Sequence, residues 1–104
     1  IYNIIYSHMI KRLECRIFGR VQFVMFRDFA KRKADELELV GTVENMADGT
    51  VFVVAEGDGA KLEELLGHLK KGPLFANVLS IEANWFPPAG VFTDFKILYY
   101  GRQN

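Results

Sequence analysis

Apolar and polar positions alternate along this chain with two periods, which separate short strands from helices. From Lys11 to Phe18 every second residue is apolar, a pattern typical of a strand with one buried face. Similar runs predict further strands over residues 41–45, 50–56, 78–85 and 94–100. The pair Asp48-Gly49 lies between the runs 41–45 and 50–56 and predicts a hairpin turn there.

Two other segments carry apolar residues at the spacing of an amphipathic helix. The apolar face of the first helix consists of Phe26, Phe29, Ala30, Ala34 and Leu37. We expect this helix to end near Leu39. Leucines form the face of the second helix at i, i+3, i+4 and i+7: Leu62, Leu65, Leu66 and Leu69. The pair Gly72-Pro73 is a typical helix terminator, so the second helix is predicted to stop there.

The order of these elements predicts an α+β fold. It is strand, helix, strand, strand, helix, strand, with a short final strand, which fits a ferredoxin-like split βαβ sandwich. We expect an antiparallel or mixed sheet that carries both helices on one face. Right-handed crossovers place the first and third strands side by side in its centre.

The composition is that of one ordinary globular domain. The chain has 104 residues, of which 50% are hydrophobic and 25% charged. Its 13 basic and 13 acidic residues give a formal net charge of zero. Because no overall electrostatic bias favours an anionic partner, we expect no nucleic-acid partner and no membrane partner.

The first ten residues form a largely apolar segment, but they are too few to span a bilayer and lack the features of a signal peptide. We expect residues 1–8 to be a leader or a disordered extension, with an added edge strand as the alternative, and residues 9–104 to form a single domain. Cys15 is the only cysteine, which excludes an internal disulfide and makes the cytoplasm the expected location. Its alternation with Leu13 and Ile17 predicts a buried, unreactive thiol.

Candidate chemistry is concentrated in the run GRVQFVMFR, Gly19 to Arg27. This run leaves a strand, crosses a loop and places Arg27 at the start of a helix, where backbone N–H groups and a fixed cation can meet a phosphate. The helix dipole disfavours an arginine at that end, so a purely structural role is a poor explanation for it. Asn45 precedes the Asp-Gly turn. An arginine and an asparagine placed in this way could hold a phosphoryl group and the water that attacks it.

Together these motifs resemble the acylphosphatase family, and the resemblance extends from about Leu13 to Ile97. The matching positions are Gly19-Arg20-Val21-Gln22, Val24, Phe26-Arg27, Gly41, Val43, Asn45, Asp48-Gly49, Glu56-Gly57, Gly72-Pro73 and Phe95-Lys96-Ile97.

The resemblance implies that the chain hydrolyses acyl phosphates, which are small molecules, to a carboxylate and inorganic phosphate. It implies that Arg27 binds the substrate phosphate and that Asn45 holds the attacking water. The phosphate-binding loop implied for this chain, whose backbone amides assist Arg27, consists of Gln22, Phe23, Val24, Met25 and Phe26. No metal and no other cofactor is expected, and we expect a monomer.

Phe23 departs from the family pattern, which usually has glycine at this position. Glycine in such a loop often serves a left-handed backbone conformation or a close approach to the ligand. We expect the loop to keep an ordinary, negative φ at Phe23 with the ring turned outward. The alternative is a distorted loop, which would leave a non-catalytic module that binds an anion or a partner on the same fold.

Overall fold

The computed structural model describes residues 9–99, so the segments 1–8 and 100–104, including the predicted extension, lie outside the described residues. The strands are β1 (Ile10–Arg20), β2 (Val40–Asn45), β3 (Val51–Asp58), β4 (Asn77–Phe86) and β5 (Phe95–Leu98), and the helices are α1 (Phe26–Glu36) and α2 (Gly59–Lys71). Within this part of the chain neither helix is long and apolar enough to cross a membrane.

The strands form one mixed sheet in the order β4-β1-β3-β2-β5. β1 pairs antiparallel with both β3 and β4, and β2 pairs antiparallel with β3. β5 joins the free edge of β2 in parallel. The predicted central pair, β1 beside β3, is therefore confirmed, and so is the ferredoxin-like order of elements.

The core lies between one face of the sheet and the two helices. Leu13, Cys15 and Ile17 of β1 are fully buried in it, together with the leucine face of α2. Burial raises the pKa of the Cys15 thiol to about 12. Because only the thiolate is a strong nucleophile, Cys15 is an apolar core residue at neutral pH, as its sequence context predicts.

Helix α1 ends at Glu36, before the predicted end near Leu39. Glu38 adopts a left-handed φ of 59°, which turns the chain out of the helix. The N–H of Glu38 then donates to the carbonyl of Asp35 at 3.0 Å, and the N–H of Leu39 donates to that of Ala34 at 2.9 Å. These two bonds form a Schellman motif, a helix ending that normally uses glycine and is therefore hard to foresee from glutamate. Leu39 is buried just beyond it.

Gly19 lies at an irregularity in β1, directly before the loop that leads to α1. The pairing of β1 with β4 shifts register between Phe18 and Gly19, where φ reaches 128°. A Cβ atom at this position would lie 2.1 Å from the carbonyl oxygen of Asn77. Glycine is therefore required both by its φ and by the close approach of a neighbouring backbone.

On the face of the sheet away from the helices, Glu56 holds the segment that leads into β5. Its buried carboxylate accepts hydrogen bonds from the Arg12 guanidinium at 2.9 Å and from the N–H groups of Ala89 at 2.8 Å and Gly90 at 3.1 Å. Burial by itself raises the pKa of Glu56, but the hydrogen bonds from Ala89, Arg12 and Gly90 outweigh it and lower the pKa below its ordinary value. The ionised form therefore stabilises the fold.

We expect the substitution Glu56→Gln to lower the free energy of unfolding by about 1–3 kcal/mol at neutral pH, because it removes the charge that three donors share. Since the folded-state pKa is lowered, this contribution is complete above the ordinary pKa of about 4.5 and is lost as the pH falls through the folded-state value. Urea unfolding at several pH values measures the difference from wild type. Glu82→Gln, on the exposed part of β4, is the matched control. A difference that grows on acidification would contradict this account.

Candidate functional site

The segment between β1 and α1 is a short loop anchored at both ends in the core. Val21 and Phe26 are each 1% exposed, and Val24 packs against the same core from the middle of the loop. Phe23 and Met25 point the opposite way and are 92% and 68% exposed. The alternation of inward and outward side chains holds the loop backbone in place without a side-chain cap on the helix.

The loop backbone alternates in handedness. Phe23 has φ 62° and Met25 has φ 66°, whereas Val24 between them stays outside the left-handed region. Such alternation turns successive N–H groups towards one concave side and forms a nest suited to an anion. The expectation of a negative φ at Phe23 is wrong, while its ring does point outward. The anchored neighbours impose the left-handed backbone, at a cost of about 1–3 kcal/mol for a non-glycine residue.

The backbone N–H groups at the middle of this loop and at the start of α1 have no acceptor among the residues that the structure describes. The first backbone bond of the helix joins the N–H of Phe29 to the carbonyl of Met25 at 3.0 Å. No acceptor within residues 9–99 receives the backbone N–H of any residue from Phe23 to Asp28. These donors lie at the positive end of α1, so the loop offers a positive, hydrogen-bonding surface.

The side chain of Gln22 ties this loop to the β2–β3 turn. Its amide nitrogen donates to the carbonyl oxygens of Met46 at 2.8 Å and Thr50 at 2.9 Å. The side chain is thus hydrogen-bonded to the turn that begins directly after Asn45. Of the predicted loop residues, Gln22 therefore links the loop to the turn that follows Asn45 through its side-chain amide nitrogen.

Arg27 and Asn45, which are far apart in the sequence, line one open cavity of about 290 Å³. The guanidinium of Arg27 lies over the ring of Tyr99, with 5.0 Å between its Cζ atom and the ring centroid. Asn45 ends β2 and is 6% exposed, and its Oδ1 atom has no hydrogen-bond partner in the described part of the chain. A buried oxygen without a donor is a rare and unfavourable feature, which a bound water or ligand would satisfy.

The structure adds residues to this cavity that the sequence did not indicate. Asp28, Ile97 and Tyr99 line it as well. Ile97 pairs with Val43 in the parallel register, which brings Tyr99 level with Asn45. The alternation of Phe95, Ile97 and Tyr99 is visible in the sequence, but it does not tell which strand they pair with. Their contribution to the cavity depends on β5 joining β2.

No three His, Cys, Asp or Glu side chains within residues 9–99 come together as metal ligands do. The side chains that line the cavity instead supply the guanidinium of Arg27, the amide of Asn45, the carboxylate of Asp28 and the hydroxyl of Tyr99. Loop residues that line it also carry backbone N–H groups with no acceptor among the described residues. Apart from Asp28, this set is arranged to receive a small anion.

Comparison with known proteins gives a consistent result. The acylphosphatase family model matches residues 13–97. An acylphosphatase from Thermus thermophilus is 50% identical over 80 residues, which is 77% of this chain and 91% of that protein. One from Methanococcoides burtonii is 45% identical over 84 residues, 81% of this chain and 88% of that protein. The crystal structure of acylphosphatase from Bacillus subtilis matches with a TM-score of 0.83 and 33% identity, covering 88% of this chain and all of that one.

Proposed function

Because this chain belongs to the acylphosphatase family and hydrolyses acyl phosphates, we propose that it cleaves them by in-line attack of water on a phosphoryl group held beside Arg27. The observation that carries this mechanism is one cavity lined by Arg27, by Asn45 and by the loop. Among the described residues, the buried Oδ1 of Asn45 has no hydrogen-bond partner and the loop N–H groups have no acceptor. The alternative of a non-catalytic binding module has no support from these relatives.

The donors around the loop match the charge of the reacting phosphoryl group. Phosphoryl transfer passes through a loose transition state whose negative charge is spread over three equatorial oxygens. Arg27 can bind two of these oxygens at once through its planar fork, while the N–H groups of the loop and the first turn of α1 bind from the concave side. Donors held in place before the reaction stabilise this charge without reorganisation.

Asn45 supplies a hydrogen-bond acceptor that can hold the attacking water. Its Oδ1 atom is a buried acceptor with no donor in the described chain, so a water that donates to it is held with a lone pair free to attack. The water oxygen bonds to phosphorus as the bond from phosphorus to the acyl oxygen breaks, and the electron pair leaves with the carboxylate. Protons of the water pass to the phosphate and solvent. Since a carboxylate is a weak base, its departure needs no strong general acid.

We expect the reaction to need no metal and no other cofactor, with Arg27 and the loop amides supplying the positive charge. We also expect a monomer that acts in the cytoplasm without nucleic-acid or membrane partners. The zero net charge supports the expectation about nucleic-acid and membrane partners, and the single cysteine, which excludes an internal disulfide, supports the expected location.

Hydrolysis of acetyl phosphate in ¹⁸O-labelled water, with and without EDTA, tests the proposed attack. Attack on phosphorus places the label in inorganic phosphate, whereas attack on the carbonyl carbon places it in acetate. We expect label in phosphate and the same rate with the chelator. Label in acetate would overturn the in-line mechanism, and loss of activity with EDTA that returns on adding a divalent cation would overturn the metal-free one.

A further inference from the structure

Three large apolar side chains form a rim around the mouth of the candidate site. The exposed fractions of Phe23, Met25 and Tyr99 are 92%, 68% and 62%, and all three line the cavity that holds Arg27 and Asn45. Phe23 also borders a second opening that reaches Arg27 and Asn45 from the side of the β2–β3 turn. Exposed apolar side chains gathered around a polar cavity are typical of a surface that binds a ligand.

Of these three residues, Phe23 contributes least to the stability of the fold. Its φ of 62° belongs to the region that glycine occupies without strain, and its ring is almost wholly exposed. A phenylalanine here therefore strains the backbone and adds no burial in return. The residue instead lines both openings that lead to Arg27 and Asn45.

We propose that Phe23, with Met25 and Tyr99, forms a subsite for the acyl group and favours acyl phosphates whose acyl group is apolar and uncharged, aromatic ones above all. This inference rests on the proposed function, because it takes the phosphoryl group to be held at Arg27. With the phosphoryl group there, the acyl group projects towards the mouth of the cavity, where these side chains lie.

The charges of the cavity support an uncharged acyl group. Among the described residues that line it, Arg27 is the only cation, and the phosphoryl group engages it. Asp28 lines the same cavity and is exposed, so it repels an acyl group that carries a carboxylate. An aromatic acyl group, in contrast, gains by packing against the rings of Phe23 and Tyr99 and displacing water from them.

The test compares kcat/KM for benzoyl phosphate and acetyl phosphate in wild type and in the Phe23→Ala variant. The deciding quantity is the ratio of the two values, because loss of the ring affects the benzoyl substrate alone while any change in the loop affects both. We expect wild type to prefer benzoyl phosphate and Phe23→Ala to lower this preference about 3- to 10-fold, the factor expected for one aromatic contact.

Two further variants show whether a change in the ratio comes from the aromatic ring at position 23 or from the loss of any exposed ring. Phe75→Ala removes a ring that is 72% exposed but does not line the cavity, so it should leave the ratio unchanged. Phe23→Tyr keeps an aromatic ring and should keep the preference. An unchanged ratio in Phe23→Ala, or an equal fall in Phe75→Ala, overturns the subsite alone. Failure of the wild type to hydrolyse either substrate overturns the proposed function and with it the subsite.

Discussion

Replacing Arg27 by alanine should lower kcat/KM for acetyl phosphate by about 100- to 1,000-fold, which corresponds to about 2.7–4 kcal/mol of transition-state stabilisation. The guanidinium is the one cation among the described residues lining the cavity, and the loop N–H groups alone would have to hold the phosphoryl charge. Both kcat and KM should change, since a phosphate carries charge in the ground state as well. Initial rates of phosphate release measure the effect.

The same substitution should leave the free energy of unfolding within about 1 kcal/mol of wild type. It removes a cation–π contact with Tyr99, worth about 0.5–1 kcal/mol at an exposed site, and relieves an unfavourable cation at a helix N-terminus. Arg32→Ala, on the exposed side of the same helix, is the matched control and should keep full activity. Arg27→Lys should recover only part of the loss, because an ammonium cannot bind two oxygens in the plane of a fork. Equal activities of Arg27→Ala and wild type would refute the phosphate role of Arg27.

Replacing Asn45 by alanine should lower kcat by about 100-fold, the loss typical of a misplaced reacting group, with a much smaller change in KM. We expect kcat to change more than KM because Asn45 acts on the water, whereas Arg27 and the loop bind the phosphate. Steady-state kinetics with acetyl phosphate provide both parameters.

Thermal unfolding of the Asn45→Ala variant supplies an independent measurement. Because Oδ1 is buried without a donor, removing it should leave the stability unchanged or raise it by up to about 1 kcal/mol. A less active but more stable variant would distinguish a water-holding role from a capping role in the turn, which would cost stability when lost. Asn84→Ala, at an exposed position of β4, controls for loss of an asparagine as such. A rise in KM with an unchanged kcat would contradict the proposed role.

The elements of this fold were predictable because their signals are local. Alternation from Lys11 to Phe18 located β1, and the leucines located α2. The pair Gly72-Pro73 located the end of α2, whose last residue is Lys71. The predicted end of α1 was wrong because a residue there adopts an unusual conformation. The left-handed φ of Glu38 ends this helix before the predicted Leu39. The predicted final strand, 94–100, also included Asp94 and Tyr99, which lie outside β5 (Phe95–Leu98), while its residue 100 lies outside the described residues.

For the candidate site, the motif around Arg27 and the Asn45 motif indicated two segments that the structure brings to one cavity. The φ of Phe23 was wrongly predicted, because it depends on Val21, Val24 and Phe26 being anchored in the core at the same time. The bonds from Gln22 to the turn and the position of Tyr99 were not foreseen either. Each of these is a contact between segments that are distant in the sequence.

The sequence by itself determined which segments become strands and helices, the order that produces a ferredoxin-like sheet and the family to which the chain belongs. These properties follow from hydrophobic periodicity and from motifs of adjacent residues, and both depend only on residues that are near one another in the sequence. Only the tertiary structure decided the handedness of the loop and the apolar rim of the cavity. The same holds for the N–H groups and the Asn45 oxygen that have no partner among the described residues. The reason is physical: backbone strain and hydrogen-bond satisfaction at one residue depend on where the packed core places its distant neighbours.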